Sequence, residues 1–220
     1  MVNKDKKDNT AGIGLDSKLI SMRYEEVKKK LLDKVANEAI FQRDIILPNG
    51  QIADICLDVK ETFLSAEGTF LSSLAILHNL NDDVEAIGAS MECSSSIPST
   101  TSLLAYVRGQ EISSFYLRKN PRQVGFSKWI QGPLKQGAKV CLLQDMVSDS
   151  DEVVDLVRKV REESGAQILQ VIGIVDISKH AEARFFDIGI NYTPLIRLKE
   201  VIDALPHSEL LVQEKFHAQV

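Results

Sequence analysis

Residues 139–152 read Lys-Val-Cys-Leu-Leu-Gln-Asp-Met-Val-Ser-Asp-Ser-Asp-Glu, a short apolar run that leads into a polar and acidic turn. A helical pattern follows from about Asp151 to Glu163, and a second apolar run covers Ile168 to Val175. Strand, helix and strand in this order, with nearly continuous apolar strands, predict a parallel β–α–β unit that is covered on both faces. This unit indicates an α/β fold.

The rest of the chain repeats the same alternation. Further helices are predicted at about 65–80, 98–107 and 180–186, and further strands at 84–88, 114–117 and 192–198. Two short apolar runs, Ile45–Leu47 and Ile52–Val59, flank Pro48-Asn49-Gly50 and predict a hairpin. We therefore expect an α/β fold with a central parallel sheet flanked by helices, an N-terminal helix and a small hairpin.

The N-terminal part shows apolar residues at helical spacing from Leu15 to Ile40, which predicts one long helix. It could dock a partner, but we expect it to pack on the hairpin or on a second subunit. The expected division is a flexible tail at 1–14, the helix and hairpin at 15–62, an α/β core at 63–205 and a C-terminal tail at 206–220.

Composition excludes several function classes. The chain has 220 residues, 44% of them hydrophobic and 26% charged, with a net charge of −5. No basic excess and no helix-turn-helix pattern point to nucleic acid as a partner. No apolar stretch is long enough for a membrane span, and no apolar segment follows the Lys/Asp-rich start, so no membrane partner is expected and the expected location is cytoplasmic. Cys56, Cys93 and Cys141 lack metal-binding spacing, and Cys141 is expected in the core.

Ligands of open parallel sheets bind at the loops after the carboxyl ends of the strands, which here are 88–98, 118–132 and 144–152. Motifs in and around these loops resemble those of the orotate phosphoribosyltransferase family. Leu117–Arg122 resembles its Val-Arg-Lys-Glu-Pro-Lys loop, Ile130–Pro133 its Ile-Glu-Gly-Pro segment, and Leu142–Val147 its Val-Val-Glu-Asp-Val-Val strand. Leu47–Asp54 is similar to its opening hairpin, and Val175-Asp176 with Ile188–Ile190 to its Val-Asp-Arg and Gly-Ile endings.

The resemblance runs in order from about Ile45 to Ala204 and implies a type I phosphoribosyltransferase fold with a small hood hairpin. It also implies the conversion of orotate and phosphoribosyl diphosphate to orotidine monophosphate and diphosphate with magnesium. The family is dimeric, and each subunit lends a flexible loop to its partner's site. A homodimer is therefore expected.

The resemblance assigns site residues by position. If the protein is active, Asp145 supports the ribose hydroxyls, and Arg122 replaces the lysine that stabilises charge in the transition state. The substrate-binding candidates are Arg118 and Lys119 for phosphate, Lys60 for the orotate carboxylate, and Ser148 and Ser150 in the phosphate turn. No residue is assigned to a metal and no cofactor is expected, except magnesium if the protein is active.

The phosphate turn departs from the family pattern. Thr-Thr-Gly-Gly-Ser has become Ser148-Asp149-Ser150-Asp151-Glu152, and the preceding Glu-Asp pair has become Gln144-Asp145. A cradle for a phosphate uses small residues and free backbone N–H groups. Two like charges about 4 Å apart repel by ~4 kcal/mol at an effective dielectric of ~20, so the new carboxylates oppose a phosphate. Alternatively, Ser148, Asp149 and Asp151 simply cap the following helix.

Three further loops depart in the same direction. Glu92 lies in the diphosphate-side loop, Val124 replaces a histidine, and Ile55-Cys56-Leu57 replaces aromatic residues near the base. Three hypotheses follow. The favoured one is a non-catalytic or impaired family member with a binding or regulatory role and a weak nucleotide or phosphoribosyl diphosphate ligand. The others are an active orotate phosphoribosyltransferase and a nucleotide- or metabolite-sensing module.

Overall fold

The computed structural model describes residues 17–46, 52–91, 96–120, 129–149 and 152–205. Its helices and strands, in chain order, are α1 Ser17–Ile20, α2 Tyr24–Glu38, β1 Ile40–Ile46, β2 Ile52–Leu57, α3 Lys60–Leu64, α4 Ala66–Asn79, β3 Ala86–Ser90, α5 Ser96–Val107, β4 Ser113–Leu117, β5 Ile130–Gln131, β6 Lys139–Val147, α6 Glu152–Ser164, β7 Gln167–Asp176, α7 Ala181–Asp187, β8 Asn191–Arg197 and α8 Leu198–Asp203.

The central sheet has the strand order β5-β4-β3-β6-β7-β8 within the described residues. Strands β4, β3, β6, β7 and β8 run parallel to one another, and β5 runs antiparallel to β4. A separate antiparallel pair, β1 and β2, forms the predicted hairpin. The predicted α/β class with a mainly parallel central sheet is therefore confirmed. The antiparallel β5 was not predicted, because two residues are too short for a periodic pattern.

The two faces of the sheet are covered by different helices, and alternate residues of β6 contact the two layers. Cys141 and Leu143 belong to the apolar cluster that contains residues of α2, α4, α5 and α8. Val140 and Leu142 belong to the cluster that contains residues of α6 and α7. Successive side chains of a strand point to opposite faces, so a continuous apolar run fits a strand between two helical layers. Cys141 is fully buried and free, as expected for a core residue, and burial raises the pKa of its thiol.

Gly88 allows β3 and β4 to pack at the centre of the sheet. It pairs with Phe115, and a Cβ added at Gly88 would lie 2.2 Å from Cζ of that ring. Phe115 is fully buried. The glycine therefore leaves the space that the aromatic ring fills, and the carboxyl ends of both strands are held in place beside the site.

The N-terminal helix differs from its prediction. It is broken at Ser21–Arg23, and β1 begins at Ile40, inside the predicted helix. The break is held by the core, because the carbonyl of Met22 lies 2.9 Å from Nε2 of His78 and the carbonyl of Ile20 accepts from the guanidinium of Arg108. These tertiary contacts satisfy carbonyl groups at the end of a short helix.

The packing of α2 also corrects the sequence-based interpretation. Its buried residues Val27, Leu31 and Val35 belong to the main apolar cluster, and the helix packs chiefly on α4 and α8. The expected packing on the hairpin is only minor, and packing on a second subunit stays a prediction. Its apolar face is used inside the subunit.

Two boundaries near the site also change. Strand β6 continues to Val147, so Gln144 and Asp145 are strand residues rather than loop residues, with exposed fractions of 4% and 7%. Helix α3 begins at Lys60, where the sequence predicted no helix. Its start is set locally, because Oδ1 of Asp58 accepts the backbone N–H of Lys60 at 3.0 Å.

Candidate functional site

Two adjoining clefts lie at the carboxyl ends of β3, β4 and β6. The first, which we call the basic cleft, has a volume of about 290 Å³, and its charged lining residues are Arg118, Lys119, Glu152, Asp155 and Lys159. The second, the acidic cleft, has a volume of about 230 Å³, and its charged lining residues are Asp58, Lys60, Asp145 and Glu152. Gln144 and Glu152 border both clefts. This is the edge of the sheet at which parallel α/β folds bind ligands.

Asp145 is the carboxylate that the sequence placed at the centre of the site. It is buried near the end of β6, and its Oδ1 accepts the backbone N–H of Met146 at 2.8 Å. Lys60 and Ser148 line the same acidic cleft. The structure thus brings together three of the predicted site residues from the hairpin side and from β6.

Arg118 and Lys119 lie beside each other at the end of β4 and line the basic cleft. The backbone N–H of Arg118 donates to the carbonyl of Trp129 at 2.9 Å, and its Nη1 donates to the carbonyl of Ile130 at 3.0 Å. A guanidinium carries five N–H donors, and the bond to Ile130 uses one of them. Arg118 is therefore anchored to the strand that returns at β5.

The sequence did not indicate what holds this returning strand. The carboxylate of Glu163 in α6 accepts the backbone N–H of Trp129 at 2.7 Å and that of Ile130 at 3.2 Å. Nζ of Lys159, one helical turn earlier, lies 4.2 Å from the centre of the Trp129 ring. Nothing in the spacing of α6 showed that this face of the helix meets β5, although Trp129 is the chain's single tryptophan.

The turn after β6 has an unexpected partner. The carboxylate of Asp149 accepts the backbone N–H of Lys179 at 3.2 Å and that of His180 at 3.1 Å. Asp149, which the sequence suggested as a cap for α6, is thus bonded to the loop between β7 and α7. Glu152 is the first residue of α6 and lines both clefts.

Several predicted positions lie outside the described residues. Among the candidate site residues these are Arg122 and Ser150. Asp151, Glu92 and Val124 also lie outside them, as do the side chains of Ile55 and Cys56.

A second charged cluster at the same edge was missed by the sequence analysis. Asp176 ends β7 and is buried, and its Oδ1 accepts from the backbone N–H and the hydroxyl of Ser178. Arg197 ends β8 in register with Asp176; its Nη1 lies 3.8 Å from Oδ2 of Asp176, and its Nη2 donates to Glu182 at 2.5 Å. The bond to Glu182 raises the pKa of Arg197. The shared position at the ends of neighbouring parallel strands was the available clue.

Two kinds of feature are absent from the described ranges. No three histidine, cysteine, aspartate or glutamate side chains among those residues are grouped so that they could hold a metal ion. None of the helices described is long and apolar enough to cross a membrane.

Comparison with known proteins gives the chain its relatives. No protein-family model matches it. The curated orotate phosphoribosyltransferase of Rhodopseudomonas palustris (strain BisB5) is 25% identical over 181 residues, which cover 80% of this chain and 96% of that relative.

Solved structures show the same fold. The orotate phosphoribosyltransferase of Mycobacterium tuberculosis H37Rv in complex with Fe(III) dicitrate matches with a TM-score of 0.69 at 19% identity, over 80% of this chain and 98% of that one. The same enzyme in complex with 5-phospho-alpha-D-ribosyl 1-diphosphate matches with a TM-score of 0.65 at 16% identity and the same coverage. The chain is therefore similar in sequence to orotate phosphoribosyltransferases over most of its length and has their fold, the type I phosphoribosyltransferase fold.

Proposed function

We propose that this protein is an orotate phosphoribosyltransferase-like binding protein that holds a diphosphate-bearing ligand in the basic cleft and forms little or no orotidine monophosphate. One observation carries the proposal. In the turn where the family resemblance expects a phosphate cradle, Asp149 places a carboxylate that is bonded to the backbone N–H groups of Lys179 and His180.

Electrostatics supports impaired handling of the ribose phosphate. A phosphate needs unoccupied N–H donors and a positive local field, such as that of a helix N-terminus. Here the turn contains Asp149, and α6 begins with Glu152. A single like-charge contact at about 4 Å costs ~4 kcal/mol at an effective dielectric of ~20, more than the ~0.3–1 kcal/mol that a helix end returns at an exposed site.

The basic cleft retains cations for a diphosphate group. Arg118, Lys119 and Lys159 line it, and Ser90 adds a hydroxyl from the end of β3. Arginine and lysine are the side chains that bind phosphate oxygens in charge-assisted hydrogen bonds. The solved relative in complex with 5-phospho-alpha-D-ribosyl 1-diphosphate supports this class of ligand.

The decisive experiment combines turnover with binding. Purified protein is assayed for orotidine monophosphate from orotate and phosphoribosyl diphosphate. The binding of phosphoribosyl diphosphate is then titrated by calorimetry with and without magnesium. The proposal expects binding with negligible turnover. The proposal is overturned if wild type forms orotidine monophosphate and Asp145→Ala does not. It is also overturned if phosphoribosyl diphosphate fails to bind both with and without magnesium.

The second candidate is an active orotate phosphoribosyltransferase. The observation in its favour is that Lys60, Asp145 and Ser148 line one cleft, as the resemblance assigns for the substrate side. Asp145 would then support the ribose hydroxyls and Arg122 the charge that develops on the diphosphate. Mg²⁺ would be bound through oxygens of the substrate phosphates together with water.

A homodimer is part of the same proposal. The family resemblance supports it, and α5 carries two large exposed apolar side chains, Leu103 at 60% and Tyr106 at 54%, one turn apart. Exposed apolar side chains that lie together are common at protein interfaces. Sedimentation equilibrium of wild type and of Leu103→Asp would test the assignment, which expects a dimer for wild type and a monomer for the variant.

A further inference from the structure

The side chain of Glu163 in α6 bonds to the backbone of a neighbouring strand. Its two carboxylate oxygens accept two successive backbone N–H groups, with Oε2 on Trp129 at 2.7 Å and Oε1 on Ile130 at 3.2 Å. A carboxylate that accepts from backbone N–H groups makes charge-assisted hydrogen bonds, which are about twice as strong as neutral ones. The contact joins residues 33 and 34 positions apart in the sequence.

The two residues that Glu163 contacts are also bonded to Arg118, which lines the basic cleft. Trp129 and Ile130 are the residues whose carbonyls accept from the backbone and the guanidinium of Arg118. Strand β5 itself is only two residues long, and it pairs with β4 through Tyr116 and Leu117. So short a pairing fixes few backbone groups, and a side chain from α6 supplies the additional anchor.

Lys159 ties the same two elements together on the cleft side. It lies one turn before Glu163 in α6, and its ammonium sits over the ring of Trp129. Lys159 and Arg118 both line the basic cleft. Helix α6 therefore contacts the anchor of Arg118 at Trp129 through two side chains on one face.

We propose that Glu163 is a positioning residue of the basic cleft, which fixes the guanidinium of Arg118 by holding the Trp129–Ile130 backbone against α6. The proposal rests on the proposed function in one respect, namely that the cleft takes a diphosphate group. Glu163 acts through the backbone and does not touch the ligand.

The sign of the expected effect separates positioning from simple electrostatics. Glu163 is negatively charged, so neutralising it should by charge alone strengthen the binding of a diphosphate anion. If Glu163 positions Arg118, the same change should weaken binding. Glu163→Gln keeps the size of the side chain and one acceptor oxygen, and it removes the second acceptor.

Glu162→Gln is the matched control. Glu162 is its neighbour in α6, is exposed, and pairs with Arg158 at 3.1 Å, so its replacement removes the same charge from the same helix without touching Trp129. Inorganic diphosphate with magnesium is titrated against wild type and both variants. The readouts are calorimetry and the fluorescence of Trp129, the chain's single tryptophan. Melting temperatures are recorded in parallel.

The expected result is diphosphate binding by Glu163→Gln that is about fivefold weaker than wild type, as for the loss of one ordinary intramolecular hydrogen bond. Glu162→Gln should stay within about twofold, as for an exposed ion pair. Equal affinities in the two variants, or tighter binding by Glu163→Gln, would overturn the inference while leaving the proposed function intact.

If wild type binds no diphosphate, the proposed function fails, and hydrogen exchange then decides the inference. The backbone amides of Arg118, Trp129 and Ile130 should exchange faster in Glu163→Gln than in Glu162→Gln. Unchanged exchange at these three amides would overturn the anchor itself.

Discussion

The basic and acidic clefts share a wall, Gln144 and Glu152, yet their charges have opposite signs. In the basic cleft, three cations (Arg118, Lys119 and Lys159) stand against two carboxylates (Glu152 and Asp155). In the acidic cleft, three carboxylates (Asp58, Asp145 and Glu152) stand against the one cation of Lys60. An anionic ligand is therefore attracted to one side of the shared wall and opposed at the other.

The carboxylates near the acidic cleft also serve local structure. Asp58 accepts from the N–H of Lys60, Asp145 accepts from Met146, and Asp149 accepts from Lys179 and His180. In the basic cleft, Arg118 is instead held by backbone carbonyl groups, which leaves its charge uncompensated by those bonds. Under the proposed function, anion binding therefore belongs to the β4 side of the site, because carboxylates on the β6 side accept from backbone N–H groups.

The largest expected effect comes from the core at β3 and β4, whose last residues line the basic cleft. Phe115→Ala should lower the free energy of unfolding by about 3–5 kcal/mol, because the ring is fully buried against Gly88 and its loss leaves a cavity. Urea denaturation measures the change. Tyr116→Phe, which removes a hydroxyl that is hydrogen-bonded to the hydroxyl of Ser99, should lower it by about 1 kcal/mol or less. Equal losses in the two variants would contradict the close packing of the Phe115 ring against Gly88.

Replacing one cation in each cleft tests directly which cleft binds the anion. Arg118→Gln should weaken the binding of magnesium diphosphate by about 10-fold to 100-fold, as for the loss of a charge-assisted hydrogen bond. Lys60→Gln should change it by about twofold or less, because Lys60 is exposed and lies in the acidic cleft. Calorimetry gives both values. A larger effect at Lys60 would reverse the assignment of the ligand to the basic cleft.

The parts of the fold that could be predicted depend on patterns within one element. The apolar run at β6 and the helical pattern at α6 were sufficient for a parallel β–α–β unit, and the sheet rule then placed Arg118, Lys119, Asp145 and Ser148 at one edge. Lys60 also lies at this edge, although its helix α3 was not predicted.

The parts that could not be predicted depend on contacts between distant elements. The break at Ser21–Arg23 has no proline or glycine to mark it, and it is held by His78 in α4 and by Arg108, which directly follows α5. The contacts of Asp149 and Glu163 span 30 to 34 residues and depend on where whole helices lie. No local spacing encodes such a partner.

Replacing Asp149, which lies in the turn after β6, should have a moderate effect on stability and on phosphate binding. Asp149→Ala should lower the free energy of unfolding by about 1 kcal/mol, as for the loss of a capping carboxylate. The same variant should bind inorganic phosphate more tightly than wild type, because a negative charge is removed and two N–H groups lose their acceptor. Asp149→Asn, which keeps one acceptor oxygen, should lose less stability. Unchanged phosphate binding in Asp149→Ala would mean that Asp149 does not oppose a phosphate at this turn.

Asp155 gives the smallest effect and the finest test of the basic cleft. The hydrogen bond from Lys159, followed by that from Arg158, lowers the pKa of Asp155 below its ordinary value of 3.8. A carboxyl group whose pKa is lower in the folded state adds stability above the unfolded value, and this contribution is lost as the pH falls through the folded value. Asp155→Asn should therefore lower the free energy of unfolding by about 0.3–0.5 kcal/mol at pH 7, as for other exposed ion pairs within a helix. The difference in stability from wild type should become smaller below about pH 4.

The same substitution tests whether Lys159 belongs to the ligand site. Asp155 lies 2.7 Å from the ammonium of Lys159, and both residues line the basic cleft. Removing the carboxylate leaves the cation without this partner, so Asp155→Asn should bind magnesium diphosphate more tightly by about twofold, as for one exposed ion pair. Urea titrations between pH 7 and pH 3.5 and calorimetry at pH 7 measure the two effects. A stability change with the expected pH dependence but no change in affinity would confine the binding cations to Arg118 and Lys119.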